Sequence, residues 1–457
     1  MRYFQDTIAA ISTPMGVGAV GIIRLSGHQS LGIIKELFQG KHKELKPYRL
    51  SHGWIKNRNG MLLDDVLVSF MPGPGSYTGE DVVEINCHGN PAIMEAVLEA
   101  VMTLGARQAQ PGEFTKRSFL NGKMDLTQAE AVLEMINAPT EAGVFLARNK
   151  LKGRLAEKIE SLGSKLQKLK EQLCLAVDFP EEEIECLSTQ EFAENVQECR
   201  REIMGLIADF ERGRIWTDGV LVVLTGKVNA GKSSLMNAII GRERAIVTEI
   251  PGTTRDYLEE AVNLQGLPVR LVDTAGLREA GDEVELKGME KGKEFIRSAD
   301  IIILVMDSAI EPSSHDLEIL KTIETGKLFI ALNKWDLVSS PPDWTLELGQ
   351  KHPFIFRISA KHGAGLEDLM TQIRRSALAG TSSKPEESLI PNLRQKSCLE
   401  KASLELMELI RDARARVPYD LLSARLDFAC SELDQITGRI TPDEVLNSIF
   451  DNFCIGK

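Results

Sequence analysis

The sequence predicts a multidomain α+β chain: an N-terminal α+β domain, then a helical domain, with an α/β domain inserted into the helical one. Three observations carry this reading. At 457 residues the chain is too long for one ordinary hydrophobic core. Apolar residues recur at helical spacing on both sides of a central block. Inside that block, short apolar runs alternate with helical segments, the pattern of a mostly parallel sheet with helices on both faces.

Residues 1–121 mix apolar runs (Gly21 to Leu25, Val66 to Phe70, Val82 to Ile85) with turns such as MPGPGSYTG and one helical stretch, Ala92 to Leu104. Over residues 122–217 glycine becomes scarce, and Leu155, Ile159, Leu162, Leu166, Leu169, Leu173 and Val177 recur at steps of three and four. That spacing puts one apolar stripe on a long helix. The acidic stretch DFPEEEIE ends it, and a second helical run reaches Arg212.

Residues 218–379 carry the strand-like runs Val220 to Leu224, Val269 to Val272, Ile301 to Met306, Leu328 to Leu332 and Phe354 to Ile358. A polar linker, AGTSSKPEES, leads into residues 380–457, where Leu399, Ala402, Leu406 and Leu409, then Leu422, Leu426, Ala429, Leu433 and Ile436, restore the helical period. Gly438 stops that helix, and Thr441-Pro442-Asp443-Glu444 predicts another opened by a capping box. One helical domain built from both flanking stretches is the simplest packing; two independent bundles are the alternative.

Composition narrows the function. With 43% hydrophobic and 26% charged residues and no apolar run of bilayer length, the chain reads as soluble. Its start lacks a secretory pattern, so the expected compartment is cytoplasmic. Seven cysteines without a CxxC pair disfavour a disulfide framework or a zinc site, and most are expected to be small buried groups. A net charge of −12 disfavours gripping a polyanion over much of the surface, so nucleic-acid contact should be local or shared.

Gly226-Lys227-Val228-Asn229-Ala230-Gly231-Lys232-Ser233 fits GxxxxGKS/T, directly after the strand VLVVL and before the helix SLMNAII, with Ser234 following. Such a loop turns backbone N–H groups toward phosphate oxygens. Lys232 reaches the terminal phosphates, and Ser233 binds Mg²⁺. Three further motifs follow in the order a GTPase needs. Asp273-Thr274-Ala275-Gly276 can hold the metal through water and offer an N–H to the γ-phosphate. Asn333-Lys334-Trp335-Asp336 places a carboxylate for the N1 and exocyclic amine donors of guanine, a pair that adenine lacks. Ser359-Ala360-Lys361 backs the base. The inserted domain is therefore predicted to be a Ras-like P-loop GTPase that uses GTP.

Two departures bear on mechanism. Leu277 stands where Ras-like proteins carry the glutamine that orients water, so either an outside activator is required or the catalytic group lies elsewhere in the chain. Asn229 accompanies Gly252-Thr253-Thr254-Arg255-Asp256; Thr253 or Thr254 can complete the Mg²⁺ shell, and Asn229 either ligates a monovalent cation in place of an arginine finger or merely braces the loop.

GKVNAGKSS, VTEIPGTTRD, DTAGLREAGDEVE, NKWD and SAK together resemble the MnmE (TrmE) family of tRNA-modification GTPases. The resemblance extends to DTIAAISTPMGVGAVGIIRLSG, PGPGSYTGEDVVEINCHGN, PGEFTKRSFLNGKMDLTQAEAV, AVDFPEEEI and the terminal FCIGK, so it covers nearly the whole chain. It implies an N-terminal domain like tetrahydrofolate-binding domains that also forms a homodimer. It implies work with the flavin-dependent partner MnmG on carbon 5 of the wobble uridine of certain tRNAs, which receives an aminomethyl or carboxymethylaminomethyl group. The added carbon would come from a 5,10-methylene or 5-formyl tetrahydrofolate.

The same resemblance assigns roles to residues. It makes Asn229, Thr248, Ile250 and Thr253 K⁺ ligands, and Ser233 and Thr254 Mg²⁺ ligands. Glu285 would orient the catalytic water, which answers the Leu277 question from within the chain. Arg255, Asp256 and Arg278 correspond to switch residues, and Arg24, Glu84, Lys123 and Lys457 to folate contacts. Residue type alone would make Arg24, Lys123 and Glu285 ordinary solvated charges.

Gly16 to Gly21 spells GxGxxG, but it precedes the strand VGIIRL rather than following one, which argues against a dinucleotide site. Cys454 lies four from the end like a prenylation signal, yet Gly456 and Lys457 do not suit one, and a place near the folate pocket fits better. A ribosome-assembly GTPase acting as a checkpoint is the alternative function. Such proteins share GTTRD, but the chain shows no basic RNA-binding module or second GTPase domain. A GTP-gated scaffold with a vestigial folate pocket is the third.

Overall fold

The computed structural model describes residues 6–40, 44–178, 188–242, 244–245, 259–274, 292, 294–379 and 389–457. Backbone contacts divide the chain into two compact units. One holds Met1–Leu133, Lys150–Met204 and Leu393–Lys457; the other holds Glu134–Asn149 and Gly205–Asn392.

The first unit begins with strands β1 (Ile8–Ile11), β2 (Gly18–Ser26), β3 (Phe38–Gly40), β4 (Leu50–Lys56), β5 (Leu62–Met71), β6 (Val82–Gly89) and β7 (Arg107–Gln108). They form one sheet in the order β3-β4-β5-β6-β2-β1-β7, antiparallel except for β1 and β7. Period-two alternation sends Val66, Val68 and Phe70 of β5, with Ile23, Leu25, Val83 and Ile85, to the face covered by helices Ser30–Leu37 and Pro91–Met102. Each such side chain contributes about 1.5–3 kcal/mol by leaving water. The opposite face is set by the same register, which puts Arg24 of β2 directly across from Glu84 of β6. The predicted helix starts at Pro91 because Asn90 caps it, its side chain accepting from the Ala92 N–H at 2.9 Å. The GxGxxG glycines fall in the turn and opening residues of β2, and no helix follows them there.

In the same unit the apolar stripe forms helix Arg154–Asp178, with Leu155, Ile159, Leu162, Leu166, Leu169 and Leu173 all buried; the Val177 side chain and the acidic break lie outside the described residues. Its polar face carries Lys158, which pairs with Glu202 of the next helix. Helix Tyr419–Thr437 packs on it through Leu422, Leu426, Ala429, Leu433 and Ile436, and Lys170 pairs with Asp427. A half-buried fork, Arg394 Nε and Nη2 to the Glu130 carboxylate at 2.6 and 2.8 Å, ties the C-terminal helices to the segment after the sheet. Gly438 ends its helix at φ 86°, a left-handed cap that favours glycine.

One local expectation fails. The last helix begins at Asp443 with Pro442 as its cap in an extended conformation (ψ 144°) and no side-chain cap bond. Thr441 therefore sits one residue too early to reach the first-turn N–H groups, and its buried hydroxyl has no partner. The expected capping box does not form.

The second unit is built on β8 (Val220–Thr225), β9 (Arg244–Ala245), β10 (Glu259–Leu264), β11 (Leu267–Asp273), β12 (Ile301–Asp307), β13 (Leu328–Asn333) and β14 (Ile355–Arg357). Their order is β14-β13-β12-β8-β11-β10-β9, parallel from β14 to β11. The five runs expected from residues 218–379 are β8 and β11 to β14. The strands are buried on both faces, as β8 and β13 show by having every residue buried. One face packs on helices Lys232–Arg242 and Leu366–Ala377, the other beneath Ser314–Thr322 and Asp343–Lys351. Parallel strands bring all their C-terminal ends to one edge, and the motif loops gather there.

Candidate functional site

The phosphate-type loop links buried β8 to helix Lys232–Arg242. Its glycines are required by close approach. A Cβ on Gly226 (φ 132°) would stand 2.2 Å from the Val305 carbonyl oxygen, and one on Gly231 (φ 97°) 2.1 Å from Asn333 Nδ2. Asn229 itself is left-handed at φ 64°, a conformation asparagine tolerates better than most residues. The Lys232 side chain is buried and its ammonium folds over the loop, donating to the Gly226 and Lys227 carbonyls at 3.0 and 2.8 Å. Ser233, the next residue, donates its hydroxyl to Asp273 Oδ2 at 2.7 Å, so two hard oxygens from different motifs meet. That donor set suits Mg²⁺. A cradle that admits no Cβ, a buried ammonium at its mouth and paired hard oxygens together fit a magnesium-bound nucleoside triphosphate.

Asn333 joins three motifs. It is buried, Nδ2 donates to the Ala230 carbonyl at 2.9 Å, and Oδ1 accepts from the Ala360 N–H at 3.0 Å. Lys334 is left-handed at φ 59°, and its ammonium pairs with Asp307 Oδ2 at 2.7 Å. Asp336 lies near His362 Nε2 at 3.7 Å. A hydrogen bond from Ser359 holds the Asp336 carboxyl below its ordinary value, with His362 and Lys361 adding smaller favourable charges. The carboxylate is therefore kept ready to accept hydrogen bonds. Thr274 donates to the Leu224 carbonyl at 2.9 Å, fixing the end of β11 against β8.

The structure thus brings together Asn229, Ala230, Gly231, Lys232, Ser233, Asp273, Asn333 and Ala360. It places Lys334, Asp336, Ser359 and Lys361 in adjoining loops of the same edge, while Ser234 follows Ser233 on the helix. Thr248, Ile250, Thr253, Thr254, Arg255, Asp256, Ala275, Gly276, Arg278 and Glu285 lie outside the described residues. Two contacts escaped the sequence reading: Asp307 with Lys334, and Ser359 with Asp336. The signal for the first was an acid closing the apolar strand IIILVMD beside the strand that delivers NKWD.

A second constellation lies in the other unit, around the C-terminus. Arg24 Nη2 pairs with Glu84 Oε1 at 2.8 Å, and its guanidinium lies 5.9 and 5.8 Å from the rings of Tyr77 and Phe114. The terminal turn docks on this pair. Gly456 offers its carbonyl to the Ser12 hydroxyl at 3.1 Å and to Arg24 Nη1 at 3.4 Å, while Phe114 N–H reaches the Lys457 carbonyl at 3.2 Å. Gly456 is left-handed at φ 97°, and a Cβ there would meet the Ile11 carbonyl at 2.4 Å. Burial, then the Arg24 charge, pushes the Lys457 amine below its usual range. Arg24, Glu84 and Lys457 therefore lie together where the terminal turn meets the sheet. Lys123 instead donates to the Pro74 carbonyl at 2.8 Å, on the loop that carries Tyr77.

Beside it, buried Arg117 meets Asp6 at 2.8 Å, Glu113 at 3.0 Å and Glu80 at 3.2 Å, and it anchors the PGEFTKR segment. Cys454 is exposed in the terminal turn. Of the six described cysteines only Cys87, Cys199 and Cys398 are buried, fewer than expected, because Cys174 and Cys454 fall on outward-facing positions.

Two family models match the chain: the GTP-binding protein TrmE N-terminus over residues 7–123 and the MnmE helical domain over residues 126–454. A tRNA modification GTPase MnmE of Nitratidesulfovibrio vulgaris (strain DP4) is 48% identical, covering 99% of this chain and 99% of that protein. The chain belongs to the MnmE family of tRNA modification GTPases. The MnmE of Lawsonia intracellularis is 43% identical, covering 99% of this chain and all of that protein, and that of Carboxydothermus hydrogenoformans is 42% identical with the same coverage. Membership of the MnmE family agrees with the observed architecture: an N-terminal α+β domain, helices, and a P-loop GTPase sheet. No described helix is long and apolar enough to cross a membrane.

Proposed function

We propose that this chain hydrolyses GTP to drive modification of carbon 5 of the wobble uridine in certain tRNAs, with a folate-derived carbon and a flavin-dependent partner of the MnmG type. The observation that carries the GTPase part is Asn333 bonding both the phosphate loop and the SAK loop, so that one residue aligns the phosphate and base ends of a single nucleotide site. Asp336, held as a carboxylate, selects guanine. Lys232 compensates phosphate charge, and Ser233 with Thr254 holds Mg²⁺, which when bound neutralises charge developing on the phosphates.

Glu285 orients the attacking water in this reading. Asn229, with Thr248, Ile250 and Thr253, holds K⁺ where other GTPases receive an arginine finger, and Arg255, Asp256 and Arg278 sense the nucleotide state. The left-handed backbone at Asn229, φ 64°, supports its role as a ligand, because such sparsely populated conformations cluster at ligand clamps. The tRNA part rests on full-length membership of the family.

The folate part is supported by the side chains gathered at the C-terminal turn. Arg24 and the half-buried Lys457 offer cationic donors for the carboxylates of a folate tail, Glu84 orients Arg24, and the partly exposed Tyr77 offers aromatic surface for a flat ring. Lys123 guards the adjoining loop. A homodimer formed through the N-terminal domain would present two such pockets.

The test is GTP hydrolysis by the full chain in KCl against NaCl at equal ionic strength, with Glu285→Ala alongside. The proposal expects faster turnover in K⁺, and near-complete loss in the variant with GDP binding kept. Equal rates in both salts overturn the cation role, and full activity in Glu285→Ala overturns the water-orienting role. Calorimetry with 5-formyltetrahydrofolate tests the pocket separately. Binding that is weakened in Arg24→Ala supports it, and no heat with the native chain refutes it.

A further inference from the structure

A cavity of about 260 Å³ opens on the flank of the phosphate loop, between Lys227–Ala230 and the segment that follows β12. Its chemistry is mixed in a specific way. Val228 and Ile310, 64% and 50% exposed, give apolar walls, and Pro312 continues them. Asp307, Glu311 and Asp316 supply carboxylates.

The three carboxylates are not equivalent. Asp307 is already engaged, Oδ2 by the Lys334 ammonium and Oδ1 by the Ala309 N–H at 3.0 Å. Asp316 is 4% exposed. Its Oδ2 closes the capping box of helix Ser314–Thr322, accepting from the Ser313 N–H at 2.9 Å and hydroxyl at 2.7 Å. Its Oδ1 is equally buried and accepts nothing. A buried carboxylate oxygen without a donor is costly, and a group that supplied one would recover that cost. Glu311, exposed beside it, adds a second acceptor.

Lys227 also lines the cavity, but with Lys334 neutralised by Asp307 the remaining carboxylates outnumber the remaining ammonium groups. Among the described residues no cluster has the arrangement of a metal site. The complement is a cationic, donor-only head on a hydrocarbon stem, and the fork of a guanidinium serves two carboxylates better than an ammonium does.

We propose that this cavity receives an arginine side chain of a partner protein, docked against the outer side of the phosphate loop. The apolar walls argue for a stem attached to a larger body, because Val228 and Ile310 would stay wet around a small free cation. Asn229 and Ala230 form one wall, so the docked partner would touch the loop that holds the nucleotide. This goes beyond the proposed GTPase reaction, which takes Asn229, Ala230 and Lys334 from the walls but gives no role to Glu311 or Asp316.

The test uses the full chain loaded with GDP. Saturation-transfer NMR compares Gly-Arg-Gly amide with Gly-citrulline-Gly amide, which keeps the shape and loses the charge; agmatine is the free-cation control. The arginine peptide is expected to bind and the citrulline peptide to fail. Asp316→Asn and Glu311→Gln should each weaken the arginine peptide by roughly ten-fold. GDP affinity, measured in parallel, should stay native in both variants, which separates this result from any failure of the GTPase reading. Glu311 is outside the capping box, so that variant tests the pocket even if Asp316→Asn perturbs its helix. Equal binding of the citrulline peptide, unchanged affinity in Glu311→Gln, or no binding of the arginine peptide overturns the proposal. Binding of agmatine without the peptide overturns the protein source.

Discussion

Replacing Asn333 by alanine removes two buried hydrogen bonds at once, the one donated to the Ala230 carbonyl and the one accepted from the Ala360 N–H. Neither backbone group gains a substitute from a methyl, and the site is too buried for water to enter freely, Asn333 being 3% exposed. Leaving a buried polar group unpaired costs about 1–3 kcal/mol, and partial relaxation of two adjoining loops brings the pair to about 2–4 kcal/mol. Both bonds exist without nucleotide, so part of this loss appears as lower stability of the GTPase unit and part as misalignment of the phosphate and base loops. Denaturant unfolding monitored by tryptophan fluorescence, with Trp216, Trp335 and Trp344 all in this unit, reads the first part, and stopped-flow release of a fluorescent GDP analogue reads the second. We expect a lower unfolding midpoint and GDP affinity reduced at least about ten-fold, since about 1.4 kcal/mol is a factor of ten. Native stability together with GDP affinity within about three-fold of native would refute the claim that Asn333 couples the loops.

Further outcomes follow from the same geometry. Gly231→Ala, whose Cβ would stand 2.1 Å from Asn333 Nδ2 at φ 97°, should abolish nucleotide binding while the far-ultraviolet circular dichroism stays native. Asp336 has a depressed carboxyl, so guanine affinity should be complete above the ordinary aspartate range near pH 4 and fall only as pH drops through the lower folded value; Ser359→Ala should move that fall to higher pH in a GDP titration. Glu130→Ala leaves the half-buried Arg394 with only the Gln435 and Ile436 carbonyls as acceptors and should destabilise the unit containing the N-terminal sheet by about 1.5–3 kcal/mol in urea unfolding. Burial pushes the Cys87 thiol up to about 12 and the Cys199 thiol up to about 11. Iodoacetamide at neutral pH should therefore label Cys174 and Cys454 well before either, as peptide mass mapping would read.

The parts of the molecule that were legible in the sequence are those whose physics is local. β8 and β13 are apolar up to their last residues, Thr225 and Asn333, because both faces are covered, so these strands stood out as runs. The phosphate loop was legible because its glycines, lysine and serine act within eight consecutive residues. The stripe from Leu155 to Leu173 was legible because one helix face alone makes the core contact.

What was not legible depends on residues far apart in the chain. Arg24 shows its setting only once Gly456, more than four hundred residues on, returns to it. Nothing local in PGEFTKR marks Arg117, whose partners Asp6 and Glu80 lie far from it in the chain and close around it with Glu113. The orphan oxygen of Asp316 belongs to the same class, since a capping box predicts one bonded oxygen and says nothing of the other. At Thr441 a local rule misled, because the extended backbone of Pro442 delayed the helix by one residue.

The most direct test of the central claim is mass spectrometry of tRNA nucleosides from cells lacking this chain, complemented with the native gene or with Lys232→Ala. The 5-substituted wobble uridine is expected to disappear without the chain, return with the native gene and stay absent with Lys232→Ala. An unchanged wobble uridine in cells lacking the chain, or full restoration by Lys232→Ala, would contradict that claim.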